Sequence, residues 1–289
     1  MTTAEGAQPE AILDGLGLGE SPRWHDGRLW FSDWPAHEIV ALDTNGTREV
    51  VMTVRGVPFC FDWDLQGRLL VVSNDAGRAV LRQEADGTLA TVADLAPVLD
   101  KPWNEITVDG RGNAYVNSIG FEMMDGEEPT LGVIALVTPE GKVREVASGL
   151  EFPNGMSITP DNRTLIVAES YGQRLSAFDI GPDGDLSNRR VWAKVDGYPD
   201  GICLDADGAV WCAAMTGCMR LAEGGQVLQS FELDRSAFAC ALGGEDGSPM
   251  LFIMAAEWNG PEGLASGAKT GQVLRVAAPS PESSPSRAE

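Results

Sequence analysis

Tyr198-Pro199-Asp200-Gly201-Ile202-Cys203-Leu204-Asp205-Ala206-Asp207-Gly208-Ala209-Val210-Trp211 reads as a turn, a short apolar strand, an acidic turn and a second apolar strand. Asp-Gly and Asn-Gly pairs are ordinary turn chemistry, and alone Asp200-Gly201 implies nothing more. Upstream, Phe152-Pro153-Asn154-Gly155-Met156-Ser157-Ile158, followed by Pro160-Asp161-Asn162 and Leu165-Ile166-Val167, repeats the pattern. It places an amide oxygen where the first stretch places the Asp200 carboxylate. Self-similarity of this kind is weighed before any single element.

Aligned on the Asp200 position, the chain resolves into six copies opening at Glu20, Cys60, Asn104, Asn154, Asp200 and Cys240, at intervals of 40, 44, 50, 46 and 40 residues. Each copy is a strand, a turn rich in Asp and Gly and a strongly apolar strand, with two further strands behind, as in a propeller blade. The sixth copy lacks a fourth strand, because the chain after Val276 is rich in Pro and Ser. Ala11-Ile12-Leu13-Asp14 is the strand available to complete it, which closes the ring. The expectation is an all-β chain: one six-bladed β-propeller of four-stranded blades over residues 10–277, with a disordered N-terminus (1–9) and a disordered C-terminal tail (278–289). Insertions at 120–129 and 258–267 follow the second strands of blades three and six, so both are expected to roof the channel mouth that holds Asp200.

Composition narrows the function classes. With 43 Asp and Glu against 21 Lys and Arg among 289 residues, the formal charge is -22, which disfavours nucleic acid and anionic membrane surfaces as partners. No apolar run approaches the ~18 residues of a membrane span, and the N-terminus shows no secretory signal, so a cytoplasmic location is expected. The five cysteines form no C-x-x-C pair and read as reduced. A monomer or weak homo-oligomer is expected.

The opening residue of each first strand forms a ring at one end of the channel, expected to be Glu20, Cys60, Asn104, Asn154, Asp200 and Cys240. Two carboxylates and two amide oxygens suit one divalent ion, Ca2+ or Mg2+ first, with Mn2+, Fe2+ or Zn2+ also accommodated. Cys60 and Cys240 read as buried inert thiols rather than soft ligands. His25 and His37 both fall away from the ring, which disfavours a Ser-His-Asp mechanism.

Gly19-Glu20-Ser21-Pro22-Arg23-Trp24, Phe152-Pro153-Asn154-Gly155-Met156, Pro199-Asp200-Gly201 and Cys240-Ala241-Leu242-Gly243-Gly244 together resemble the senescence marker protein 30, gluconolactonase and luciferin-regenerating enzyme-like family. The resemblance spans roughly residues 11 to 276 and implies a lactonase with Glu20, Asn154 and Asp200 as metal ligands. It also implies that Asp200 doubles as the catalytic base and that Asn104 borders metal and substrate. Lys101, Trp103, Asn104 and Glu122 are the expected substrate contacts, with Asn117, Ser118, Glu169, Ser170 and Met215 nearby. The chain departs from the sugar-lactonase pattern of Arg, any residue, Asn, Asp: Pro102 stands in the arginine's place in Pro102-Trp103-Asn104-Glu105. Losing a forked donor weakens recognition of a polar sugar acid and leaves room for a less polar lactone or ester. Two alternatives accompany the lactonase reading: hydrolysis of other esters or organophosphates at the same metal site, and a non-catalytic binding propeller with a structural metal.

Overall fold

The computed structural model describes residues 8–75, 77–245, 247–283 and 285–286. The first strand, β1 (Glu10–Leu16), is set aside for the last blade. Blade one is β2 (Gly19–His25), β3 (Arg28–Asp33), β4 (Glu38–Leu42) and β5 (Arg48–Thr53). Blade two is β6 (Cys60–Trp63), β7 (Leu69–Ser73), β8 (Ala79–Gln83) and β9 (Leu89–Asp94). Blade three is β10 (Trp103–Val108), β11 (Ala114–Ser118), β12 (Gly132–Val137) and β13 (Val143–Leu150). Blade four is β14 (Pro153–Ile158), β15 (Thr164–Glu169), β16 (Arg174–Ile180) and β17 (Leu186–Lys194). Blade five is β18 (Pro199–Leu204), β19 (Val210–Ala214), β20 (Gly217–Leu221) and β21 (Val227–Glu232). Blade six is β22 (Ser236–Glu245), β23 (Ser248–Ala256), β24 (Gly271–Ala277) and β1.

The fold is therefore the six-bladed β-propeller that the repeat predicts. β1 pairs antiparallel with β24, with Ala11 opposite Leu274 and Leu13 opposite Val273, so the N-terminal strand completes the blade left short by the C-terminal end. Second strands such as β7, β11 and β19 are buried along their whole length, which explains why they read as unbroken apolar runs. Apolar clusters lie between neighbouring blades: Leu29, Phe31 and Val40 of blade one pack on Phe252, Met254 and Val273 of blade six. Among the described residues helix is confined to the two insertions, as a 3-10 turn at Met123–Asp125 and a short helix, α1, at Gly260–Ala265. No helix among the described residues is long and apolar enough to cross a membrane.

Composition predicts disorder from residue 278, yet the tail makes backbone contacts where it is described. Ala206 N donates to Pro281 O, Ser283 N to Leu204 O and Ser286 N to Pro160 O, carrying the chain beneath blades five and four. Prolines cannot donate to a ladder, but their carbonyls accept and the intervening serines donate. The remaining termini, 1–7 and 287–289, lie outside the described residues, and the disorder expected there lies outside them too.

Candidate metal and substrate site

Five innermost strands share an irregularity near their start. Register shifts fall between Glu20 and Arg23, Trp103 and Glu105, Pro153 and Met156, Pro199 and Ile202, and Ala237 and Ala239. A bulge of this kind breaks the strict alternation of a strand and re-aims the side chains that it spans. Asn104, Asn154 and Asp200 lie inside these irregularities and Glu20 at the edge of one. The glycines that follow serve close packing at the axis. A Cβ on Gly155 would lie 2.5 Å from Ile202 N and 2.6 Å from Asp200 O, and one on Gly201 would lie 2.5 Å from Ala239 Cβ. Asn154-Gly155 and Asp200-Gly201 are thus strand residues that bring neighbouring blades together, not turns.

Glu20, Asn104, Asn154 and Asp200 all border one cavity of about 310 Å³ at the channel mouth. Asn104 Nδ2 donates to Asn154 Oδ1 at 3.1 Å, and Asn117 Nδ2 donates to Asn154 O at 2.6 Å. Ser170, also at the cavity, donates its Oγ hydrogen to Pro199 O at 2.7 Å. These bonds orient Asn154 between the blades while leaving a second lone pair on its Oδ1. Asn74 fixes the approach to Asn104 by gripping both backbone atoms of Trp103, with Nδ2 to Trp103 O at 2.7 Å and Trp103 N to Oδ1 at 2.9 Å.

The electrostatics favour a cation. Burial first, then the Asp200 and Glu105 charges, pushes the Glu20 carboxyl well above the usual range. Asp200 is likewise raised, by burial, then Glu105 and Cys240. Asp200 Oδ1 is buried without a hydrogen-bond partner, a costly state for a carboxylate. Among the described residues Arg23 forms its ion pair with Glu105, at 3.1 Å, where Ser21 Oγ also donates at 3.1 Å, and its other hydrogen bonds go to Pro22 O and Ile106 O. Among the described residues no three His, Cys, Asp or Glu side chains form a metal cluster, so the donor set is two carboxylates plus amide oxygens. A hard divalent ion suits that set, and the orphaned Asp200 oxygen is the position where it fits.

Several expected residues fall elsewhere. Phe238, spanned by the blade-six bulge, takes the ring position assigned to Cys240, which instead borders a second cavity of about 270 Å³ with Arg23, Asp62 and Glu282. Cys60 is fully buried in the core between blades two and three, and Pro58 reaches the cavity in its place. Trp103 is fully buried in that same core and does not border the cavity. Lys101, also away from it, pairs with Glu127 at 2.6 Å. Glu122 does border the cavity but is held by Arg78 at 2.6 Å. Glu169 is a structural anchor: burial opposes its charge, but Arg174, Ser176, Glu151 N and Arg189 hold its pKa low. Ser118 donates to Pro102 O at 2.6 Å and is buried, whereas Met215 borders the cavity. His25 stacks on Trp63 at the second cavity, with centroids 3.9 Å apart.

Both insertions contribute to the cavity, through Met123 and Met124 and through Trp258 and Leu264. Sequence reasoning missed most of its walls. Phe121 and Phe152 pack with centroids 5.8 Å apart, Phe152 and Tyr171 at 4.6 Å, Tyr171 and Tyr198 at 6.3 Å, and Phe238 and Trp258 at 5.7 Å. These residues come from four blades, and no local spacing unites them.

The SMP-30/Gluconolactonase/LRE-like region family model matches residues 18–257. The chain belongs to this family. Human (Homo sapiens) regucalcin is 26% identical over 272 residues, covering 89% of this chain and 90% of its own. A gluconolactonase from Xanthomonas campestris superposes with a TM-score of 0.73 at 23% identity, covering 96% of this chain and 97% of that one. Regucalcin from Agrobacterium tumefaciens, described as a calcium-binding protein, gives 0.77 at 20%, covering 98% of both chains. Proteins described as a gluconolactonase and as a calcium-binding protein thus share this fold.

Proposed function

We propose that the protein is a divalent-metal-dependent hydrolase that opens a lactone, with Glu20, Asn154 and Asp200 holding the ion and Asn104 orienting Asn154. The observation carrying this reading is the pair of carboxylates bordering a substrate-sized cavity, buried Glu20 and half-buried Asp200, with Asp200 Oδ1 itself buried and unpartnered. Calcium is the leading ion, in keeping with the oxygen donors and with the Agrobacterium relative. Such an ion supplies the charge that polarises the ester carbonyl and steadies the attacking water.

Within that site an Asp200 carboxylate oxygen takes one proton from the water as its oxygen bonds to the carbonyl carbon. The ring C–O bond then breaks, the same proton passes from Asp200 to the ring oxygen, and a hydroxy acid leaves. Ser170 and Asn117 keep Asn154 and the blade-five strand in register, and the roof loops limit water entry. All five cysteines are free and buried, which fits a reducing compartment such as the cytoplasm.

Asp200→Asn and Glu20→Gln are each expected to lower kcat/KM for lactones by at least about a hundredfold while the circular dichroism spectrum is retained. Metal-stripped protein should regain activity on adding Ca2+ or Mn2+. Wild-type protein inert toward a broad lactone panel with every divalent ion would leave a binding propeller as the function. Phosphotriester turnover exceeding lactone turnover would assign the same site to organophosphates.

A further inference from the structure

The carboxylates and amides of the first strands border one end of the cavity, and apart from Glu122 on the roof its other walls are mainly apolar and aromatic. Among the described residues no lysine or arginine borders it. The roof carboxylate of Glu122 is taken by Arg78, and Lys101 is turned to Glu127. A negatively charged substituent would find no counter-charge on the walls. Apart from the Tyr171 and Tyr198 hydroxyls and the Trp258 indole N–H, a hydroxylated ring would press its hydroxyls on aromatic carbon, each unpaired group costing roughly tenfold in affinity. Trp34 presents no donor either, since its Nε1 hydrogen is already given to Phe59 O at 2.8 Å.

The rim carries the same signature. Tyr171 is 49% exposed, Tyr198 47%, Met124 41% and Met215 40%, a cluster of large apolar side chains around one opening. Exposed apolar surface concentrated at a cavity mouth marks the place an apolar ligand covers. The volume, about 310 Å³, lies at the small end of ligand pockets (~300–1,000 Å³) and suits a single ring with one substituent.

We propose that the substrate is an uncharged lactone whose ring bears one apolar substituent, an alkyl chain or an aryl ring, seated against Phe121, Phe152, Tyr171, Tyr198, Phe238 and Trp258. This deepens the hydrolase reading and rests on it for the reacting group alone. The ester carbonyl sits at the floor, and the substituent runs up the aromatic wall toward Met215 and the roof.

Two measurements run in parallel. One is kcat/KM of Ca2+-loaded protein for γ-lactones with unbranched alkyl chains of increasing length, and for glucono-δ-lactone. The other is calorimetric binding of the matching γ-alkyl lactams, which resist hydrolysis, to metal-stripped protein. Both quantities are expected to rise about fourfold per added methylene until the cavity is full, with the longer alkyl lactones preferred over the sugar lactone by at least about a hundredfold. Tyr171→Ala, at a half-exposed position, should flatten the dependence on chain length in both series. Preference for the sugar lactone, or lactam affinity indifferent to chain length, overturns the apolar substrate. Chain-dependent lactam binding with no lactone turned over would instead refute the hydrolase reading and uphold the apolar ligand class.

Discussion

Asp200 combines a repeat position, a bulge and a glycine behind it, and each contributes to its role. The bulge between Pro199 and Ile202 aims the carboxylate into the cavity, and Gly155 on the neighbouring strand leaves room for the Asp200 carbonyl. Because all three atoms nearest a Cβ at position 155 are backbone, no side chain can yield. Gly155→Ala is therefore expected to cost about 1–3 kcal/mol in denaturant unfolding and to weaken cation binding as the strand is displaced. Wild-type stability in this variant would remove the close-approach role. The sequence located Glu20, Asn104, Asn154 and Asp200 because their spacing follows the repeat. It misplaced Cys240 because the bulge at Phe238 shifts the blade-six register, which the spacing does not reveal. Trp103 looked like a wall residue because it adjoins Asn104. Successive strand side chains point to opposite faces, and that sends the indole into the core.

Among elements, the tail is the one whose behaviour changes with pH. Glu282 forms a bridge with Asp205 and borders the second cavity with Arg23 and Asp62. Burial raises its carboxyl from the ordinary 4.5 to about 7, against the pull of Arg23 and with Asp62 adding to the rise. A detached tail would titrate at the lower value, so the docked state binds more protons between the two. Docking is thus complete below about 4.5 and weakens as pH rises through about 7. Protection factors for the Ala206 and Ser283 amides, corrected for intrinsic exchange, should fall across that interval, and Glu282→Gln should abolish the fall. Protection independent of pH would show that Glu282 does not govern docking. Composition could not foresee this contact, because Pro and Ser content reports poor ladder-forming capacity and not the acceptor carbonyls above the tail.

For the whole molecule, the ring is closed by strands from the two ends of the propeller. The period of 40–50 residues made this legible, since a sixth copy without a fourth strand and an unassigned N-terminal strand have one consistent pairing. Deleting residues 1–16 would expose the edge of β24 and remove the fully buried Leu16, which by itself is worth about 2–5 kcal/mol. The truncated chain is expected to unfold at lower denaturant and to self-associate in size-exclusion chromatography, as open strand edges do. An unchanged midpoint and a sharp monomer peak would mean that closure contributes little. The aromatic walls of the cavity stayed hidden from the sequence for the opposite reason: they are assembled from loops and strand ends of four blades, where only the closed ring sets one beside another.

The central claim is that a divalent cation sits on the floor of that cavity. Anomalous diffraction from crystals grown with Mn2+ tests it most directly. One strong peak at the channel mouth, about 2.0–2.6 Å from carboxylate oxygens of Glu20 and Asp200 and from Asn154 Oδ1, is the predicted result. An empty mouth at saturating Mn2+, with Glu20 and Asp200 unliganded, would contradict it.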